Sequence, residues 1–107
     1  MVKEETMEEK ELFIEKKLED GILTFILEGR LNTNTAPELE TEVDAIPEVD
    51  ELVFDLSKIE YLSSAGLRVL LFAKKKMGEK EMVVRNSSDE IREIFDVTGF
   101  SDILNIE

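Results

Sequence analysis

The segment Asp55-Leu56-Ser57-Lys58-Ile59-Glu60-Tyr61-Leu62-Ser63-Ser64-Ala65-Gly66-Leu67-Arg68 decides the fold predicted for this chain. It follows the apolar run 52–54, and helical spacing of apolar residues begins at Ala65. The segment therefore predicts the end of a buried strand, a short loop, and a helix that begins at two adjacent serines. The first amides of a helix lack intrahelical partners and lie at its positive end. A serine there is either an N-cap, much the commoner role on spacing alone, or a candidate for phosphorylation.

Two strands precede this segment. Residues 11–18 and 22–27 are the predicted strands, and Glu19-Asp20-Gly21 between them is typical of a hairpin turn. The second strand is apolar almost throughout, which predicts a strand that is covered on both faces and central in the sheet.

Helices and strands alternate in the rest of the chain. The predicted elements are helix 36–46, strand 52–56, helix 65–77, strand 82–85, helix 88–98 and a short helical turn or strand at 100–106. Thr35 with Glu38, and Ser87 with Glu90, have the spacing of a capping box. A hairpin followed by such alternation indicates an α/β fold, with a mixed β-sheet of four or five strands and three to four helices packed on it.

Length and composition predict a single domain at 11–107, preceded by a flexible acidic leader at 1–10. The leader has no apolar core like that of a signal peptide, and no apolar run is long enough to span a bilayer, so we expect a cytoplasmic protein. The net charge of −13 argues against nucleic acid or an anionic membrane as a partner and favours a partner with a basic surface.

Several kinds of chemistry are excluded or disfavoured by the residue types present. The chain has no cysteine and no histidine, which excludes disulfides, thiolate metal sites and histidine-based hydrolytic triads. Asp55 and Glu60 flank the serines, but two acids without a third ligand do not predict a metal site. We expect neither a metal nor a cofactor. Lys74-Lys75-Lys76 is either an electrostatic patch for an acidic partner or, the commoner case and the one favoured here, a helix end that complements the helix dipole.

The order of these pieces resembles the STAS domains, specifically the anti-sigma factor antagonists. The resemblance covers nearly the whole chain, so that 11–107 is expected to be a single STAS domain. It rests on the turn Gly29-Arg30-Leu31-Asn32, the helix start Ala36-Pro37, the strand end Asp55-Leu56-Ser57, the helix start Ser63-Ser64-Ala65-Gly66 and the ending Thr98-Gly99-Phe100.

The resemblance implies a function and a set of residues. An unphosphorylated antagonist of this family binds an anti-sigma factor that is also a serine kinase and thereby frees a sigma factor; phosphorylation breaks the complex and a serine phosphatase restores it. Ser64 matches the phosphorylated serine, with Ser63 as a second candidate. Gly66 matches a glycine that keeps the helix start bare, and Asn32 matches a turn residue that contacts the partner. The expected partner-binding residues are Asn32, Ser63, Ser64, Gly66 and Arg68. Arg68 replaces a frequent glycine.

Other roles remain open at this point. Arg68 is a candidate to hold the phosphate, or a solvated surface arginine. Tyr61 and Leu62 are expected to seat the loop on the core, although an exposed aromatic there would suit a partner contact. The chain could instead be a STAS sensory or scaffold module, in a larger signalling or transporter-associated assembly, that is never phosphorylated. An enzyme with Ser64 as nucleophile is disfavoured because no histidine base is present.

Overall fold

The computed structural model of the chain describes residues 10–107. The predicted leader therefore lies outside the described residues except for Lys10. The elements in chain order are β1 (Leu12–Glu19), β2 (Ile22–Leu31), α1 (Ala36–Asp44), β3 (Glu51–Leu62), α2 (Ser64–Met77), β4 (Glu81–Arg85), α3 (Asp89–Thr98), a 3₁₀ turn (Phe100–Asp102) and β5 (Asn105–Ile106).

The strands form one mixed sheet in the order β1-β2-β3-β4-β5. β1 is antiparallel to β2, and every other neighbouring pair is parallel. Asp20 and Gly21 join β1 to β2 with φ of 52° and 81°, as a tight hairpin turn with two left-handed residues requires. The prediction of an α/β fold with a mixed sheet of four or five strands is confirmed.

The core lies between the three helices and one face of the sheet. Leu23, Phe25 and Leu27 of β2 belong to the same buried cluster as the inward-facing residues of the helices. Successive side chains on a strand point to opposite faces, so Thr24 and Ile26 lie on the other face, where they are half-buried. The expectation that β2 is covered on both faces is therefore wrong, and β3 takes the central place in the sheet.

β3 is longer than predicted, and its pairing with β2 is irregular at two points. Its register with β2 shifts between Ile26 and Glu28 and again between Gly29 and Arg30, and each shift places one extra residue on β3. Such bulges break the alternation of buried and exposed residues. The strand continues to Leu62, and the short loop predicted after residue 56 is wrong.

The helix boundaries confirm the predicted helices but correct two caps. Thr35 precedes α1 and makes no side-chain cap bond to it, so the capping box with Glu38 is wrong. α3 is capped by Ser88, whose Oγ accepts a hydrogen bond from the amide of Ile91 at 3.2 Å, and not by Ser87. Gly99, with φ of 82°, ends α3 as predicted. Within residues 10–107 no helix combines the length and apolar character needed to cross a membrane.

Candidate functional site

Two neighbouring strand ends carry the predicted site residues. Leu31 and Leu62 are paired at the ends of β2 and β3, and the amide of Ser63 donates to the Leu31 carbonyl at 2.9 Å. Chain order left open whether the turn at Asn32 and the helix start at Ser64 are neighbours. The parallel pairing of the two strands brings them together. We call Asn32, Ser63, Ser64 and Arg68 the strand-end site.

The two serines occupy different positions at the start of α2. Ser63 is the N-cap: its backbone is extended and its Oγ accepts a hydrogen bond from the amide of Gly66 at 3.3 Å. Ser63 is half-buried. Ser64 is the first helical residue and is exposed, and its hydroxyl forms no hydrogen bond within the described part of the chain. The free hydroxyl at the helix start is therefore that of Ser64.

Gly66 lies beneath this surface. It is buried, and a Cβ at this position would lie 2.7 Å from Leu31 Cγ and 2.7 Å from Leu62 Cδ1. A glycine is needed here because the first turn of α2 rests directly on the ends of β2 and β3. The expectation that Gly66 leaves a bare surface at the helix start is wrong: it lets the helix approach the strands, and its own atoms face the core.

Asn32 organises the turn that leads from β2 to α1. Its Oδ1 accepts hydrogen bonds from the amides of Asn34, at 2.9 Å, and Thr35, at 3.0 Å. Its Nδ2 donates to Glu11 Oε1 at 3.1 Å. The buried Thr35 hydroxyl donates to the Arg30 carbonyl at 2.8 Å and accepts from the Asn32 amide at 2.9 Å. The sequence did not predict that Thr35 and Glu11 form hydrogen bonds that hold this turn. The signal was present, because an asparagine at the start of a polar turn often accepts hydrogen bonds from amides two or three residues later.

Arg68 lies one helical turn after Ser64, on the same side of α2. It is exposed and borders an open groove of about 480 Å³ between α1 and α2. The groove is lined by Thr33, Ala36, Pro37, Glu40, Ala65, Arg68, Val69, Leu71, Phe72 and Lys75. The groove thus begins beside the strand-end site and follows both helices away from it.

Tyr61 and Leu62 differ in their surroundings. Leu62 is buried in the core as expected, whereas Tyr61 is 41% exposed, so its predicted role as part of the plug is wrong. The Arg30 guanidinium lies 4.5 Å from the centre of the Tyr61 ring, within cation–π distance. The pair joins the ends of β2 and β3 at the surface.

Asp55 lies at the first of the two register shifts between β2 and β3. Its Oδ1 accepts a hydrogen bond from the Ser57 amide at 2.9 Å. Partial burial raises the pKa of Asp55, but hydrogen bonds from Ser57 and Asn86 and the charge of Arg85 outweigh it, so the pKa is lowered from its ordinary value. Across residues 10–107 no three histidine, cysteine or acidic side chains are grouped to hold a metal ion. Asp55 is held as a structural anion.

A family model for the STAS domain matches residues 13–107, almost all of the chain. The chain belongs to the STAS domain family. This STAS domain is 36% identical over 91 residues to BtrV of Bordetella bronchiseptica, covering 81% of this chain and 78% of BtrV. It is 33% identical over 98 residues to the anti-sigma-B factor antagonist of Listeria monocytogenes, covering 88% of this chain and 85% of that protein.

The fold of this STAS domain also matches a solved structure. The crystal structure of an anti-sigma factor antagonist from Mycobacterium paratuberculosis superposes with a TM-score of 0.82 at 26% identity, covering 89% of this chain and 84% of that one. That antagonist therefore shares the fold described here.

Proposed function

We propose that this STAS domain is an anti-sigma factor antagonist, a non-enzymatic binding module that acts in the cytoplasm. Unphosphorylated, it binds an anti-sigma factor with serine kinase activity through the strand-end site, and the sigma factor held by that protein is released to activate transcription. Phosphorylation of Ser64 ends the binding, and a serine phosphatase restores it. The observation that carries the proposal is the exposed Ser64 hydroxyl beside the Asn32 turn, in a chain 33% identical to an anti-sigma-B factor antagonist.

The choice of Ser64 over Ser63 rests on access and bonding. A kinase must bring a phosphoryl group to the hydroxyl oxygen, and Ser64 is exposed. Ser63 is half-buried and its Oγ accepts a hydrogen bond from the Gly66 amide, so its phosphorylation would remove the cap of α2. A phosphate on Ser64 would lie at the positive end of the helix dipole, where anions are stabilised.

The proposed partner contacts are Asn32, Ser63, Ser64 and Arg68, with Gly66 acting indirectly by holding the helix start against the strands. A phosphate adds about −1.5 to −2 charges and three oxygens that bind water strongly. A partner that packs against a neutral serine would have to strip that water, and burying an unpaired charge is costly. Phosphorylation therefore weakens binding at the contact itself.

The test uses the purified chain, ATP and the anti-sigma factor kinase of the same genome. We expect mass spectrometry to place one phosphate on Ser64 and calorimetry to show binding of the unphosphorylated chain only. Ser64→Ala should accept no phosphate and bind constitutively. Ser63→Ala should still be phosphorylated, and Ser101→Ala, at an exposed serine far along the chain, serves as the control.

Two results would contradict the proposal in different ways. Full labelling of Ser64→Ala would assign the phosphate to Ser63. No binding and no labelling with any anti-sigma factor of the genome would instead support the sensory or scaffold module.

A further inference from the structure

The groove between α1 and α2 has walls of opposite charge. α2 carries four basic residues and no acidic one: Arg68, Lys74, Lys75 and Lys76. α1 carries four acidic residues and no basic one: Glu38, Glu40, Glu42 and Asp44. In a chain of net charge −13, α2 is thus a local exception.

Three of these charges border the groove and form no ion pair with another described residue. Glu38 and Glu42 form ion pairs with Lys10, at 3.8 Å, and Lys16, at 2.6 Å. Arg68 and Lys75 on one wall and Glu40 on the other form no ion pair within residues 10–107. The apolar lining between the walls comes from Ala36, Ala65, Val69, Leu71 and Phe72.

We propose that this groove binds an amphipathic helix of the anti-sigma factor, with acidic residues along one edge and a basic residue on the other. The proposal rests on the function proposed above. Arg68 and Lys75 are seven residues apart on α2, about 10.5 Å along its axis. A helix lying along the groove can therefore pair with Arg68 and Lys75 through two acidic residues seven positions apart. Its basic residue pairs with Glu40, and its apolar face packs into the groove.

The proposed loss of binding on phosphorylation of Ser64 agrees with an acidic helix in the groove. The groove begins at Thr33 and Ala65, next to Ser64, and Arg68 follows Ser64 by one helical turn. A phosphate on Ser64 forms an ion pair with Arg68, so that Arg68 no longer pairs with the bound helix. The phosphate also repels the acidic residues of that helix. A basic segment would be attracted to the same phosphate, and phosphorylation would then strengthen binding. The groove thus selects an acidic helix edge, although the net charge of the chain favours a basic partner at long range.

Charge reversal on α2 tests the proposal. The probe is the purified anti-sigma factor kinase, and its dissociation constant is measured at about 0.05 M and about 0.5 M salt. We expect Arg68→Glu and Lys75→Glu each to weaken binding by about tenfold or more at low salt, and by less at high salt. Lys76→Glu is the matched control, because it makes the same change on the same helix outside the groove, and should weaken binding by under about threefold.

A photo-crosslinking residue in place of Leu71 identifies the occupant. We expect it to capture an anti-sigma factor helix with two acidic residues seven apart, and changing one of these to lysine should restore binding to Arg68→Glu. If the wild-type chain binds but Lys76→Glu and Lys75→Glu weaken binding equally, the groove proposal is wrong and the proposed function is not affected. Crosslinks to residues 1–9 of the same chain or to a second copy would also overturn the groove proposal. No binding by the wild type would overturn the proposed function and this inference together.

Discussion

Gly66→Ala tests whether the first turn of α2 rests directly on the strand ends. The new methyl group would lie 2.7 Å from both Leu31 Cγ and Leu62 Cδ1, and both leucines are buried. Overpacking of a tight core costs about 1–3 kcal/mol. Alanine is better than glycine in a helix by about 1 kcal/mol. We therefore expect a net loss of about 1 kcal/mol in the free energy of unfolding, and a melting temperature lower by roughly 5 °C.

A double-mutant cycle with Leu31→Ala separates the contact from other effects. Alanine lacks the Cγ and Cδ atoms of leucine that the new methyl group would meet, so Gly66→Ala should cost less in that background, with a coupling of about 0.5 kcal/mol or more. Ser64→Ala, in the same helical turn but exposed, is the control and should change stability by less than about 0.5 kcal/mol. Urea unfolding measures all four variants. A Gly66→Ala protein as stable as the wild type, with no coupling to Leu31, would refute the close packing.

Two further predictions concern Asn32, which follows β2, and Asp55, which lies within β3. Asn32→Ala should lower the free energy of unfolding by about 0.5–2 kcal/mol, because the amides of Asn34 and Thr35 lose their acceptor. Asn32→Asp keeps that acceptor and should cost less in urea unfolding; an equal loss would assign the effect to the bond with Glu11. The pKa of Asp55 is lowered in the folded chain, so its contribution to stability is present above about pH 4 and is lost as pH falls through the folded value. The stability difference between wild type and Asp55→Asn should shrink below that pH, and a constant difference down to pH 2 would contradict the assignment.

The parts of the fold that depend on local sequence could be predicted. The hairpin followed from Asp20-Gly21, because a tight turn with two left-handed residues favours that pair. Helices α1, α2 and α3 followed from apolar spacing and from residues that end helices, such as Gly99. The position of the two serines at a helix start followed in the same way, because capping depends on a few adjacent residues.

The parts that depend on strand pairing could not be predicted. The extra residues in β3 are defined only by its pairing with β2. They give the buried positions Leu56, Ile59 and Leu62 a spacing of three, which is not the alternation expected of a strand. The burial of Gly66 is equally non-local, since Leu31 precedes it by thirty-five residues along the chain. Sequence therefore located the serines but misjudged the surface around them.

The same pairing explains why a phosphate on Ser64 can act without refolding the domain. The Ser63 amide is bonded to the Leu31 carbonyl, and buried Gly66 fixes the first turn of α2 on the strands beneath. The Asn32 turn is held separately by its own hydrogen bonds. Among these residues only Ser64 is exposed, and its side chain forms no hydrogen bond within residues 10–107. A charge added there changes what a partner meets, while the bond from Ser63 to Leu31 and the packing of Gly66, which position the helix start, can stay as they are.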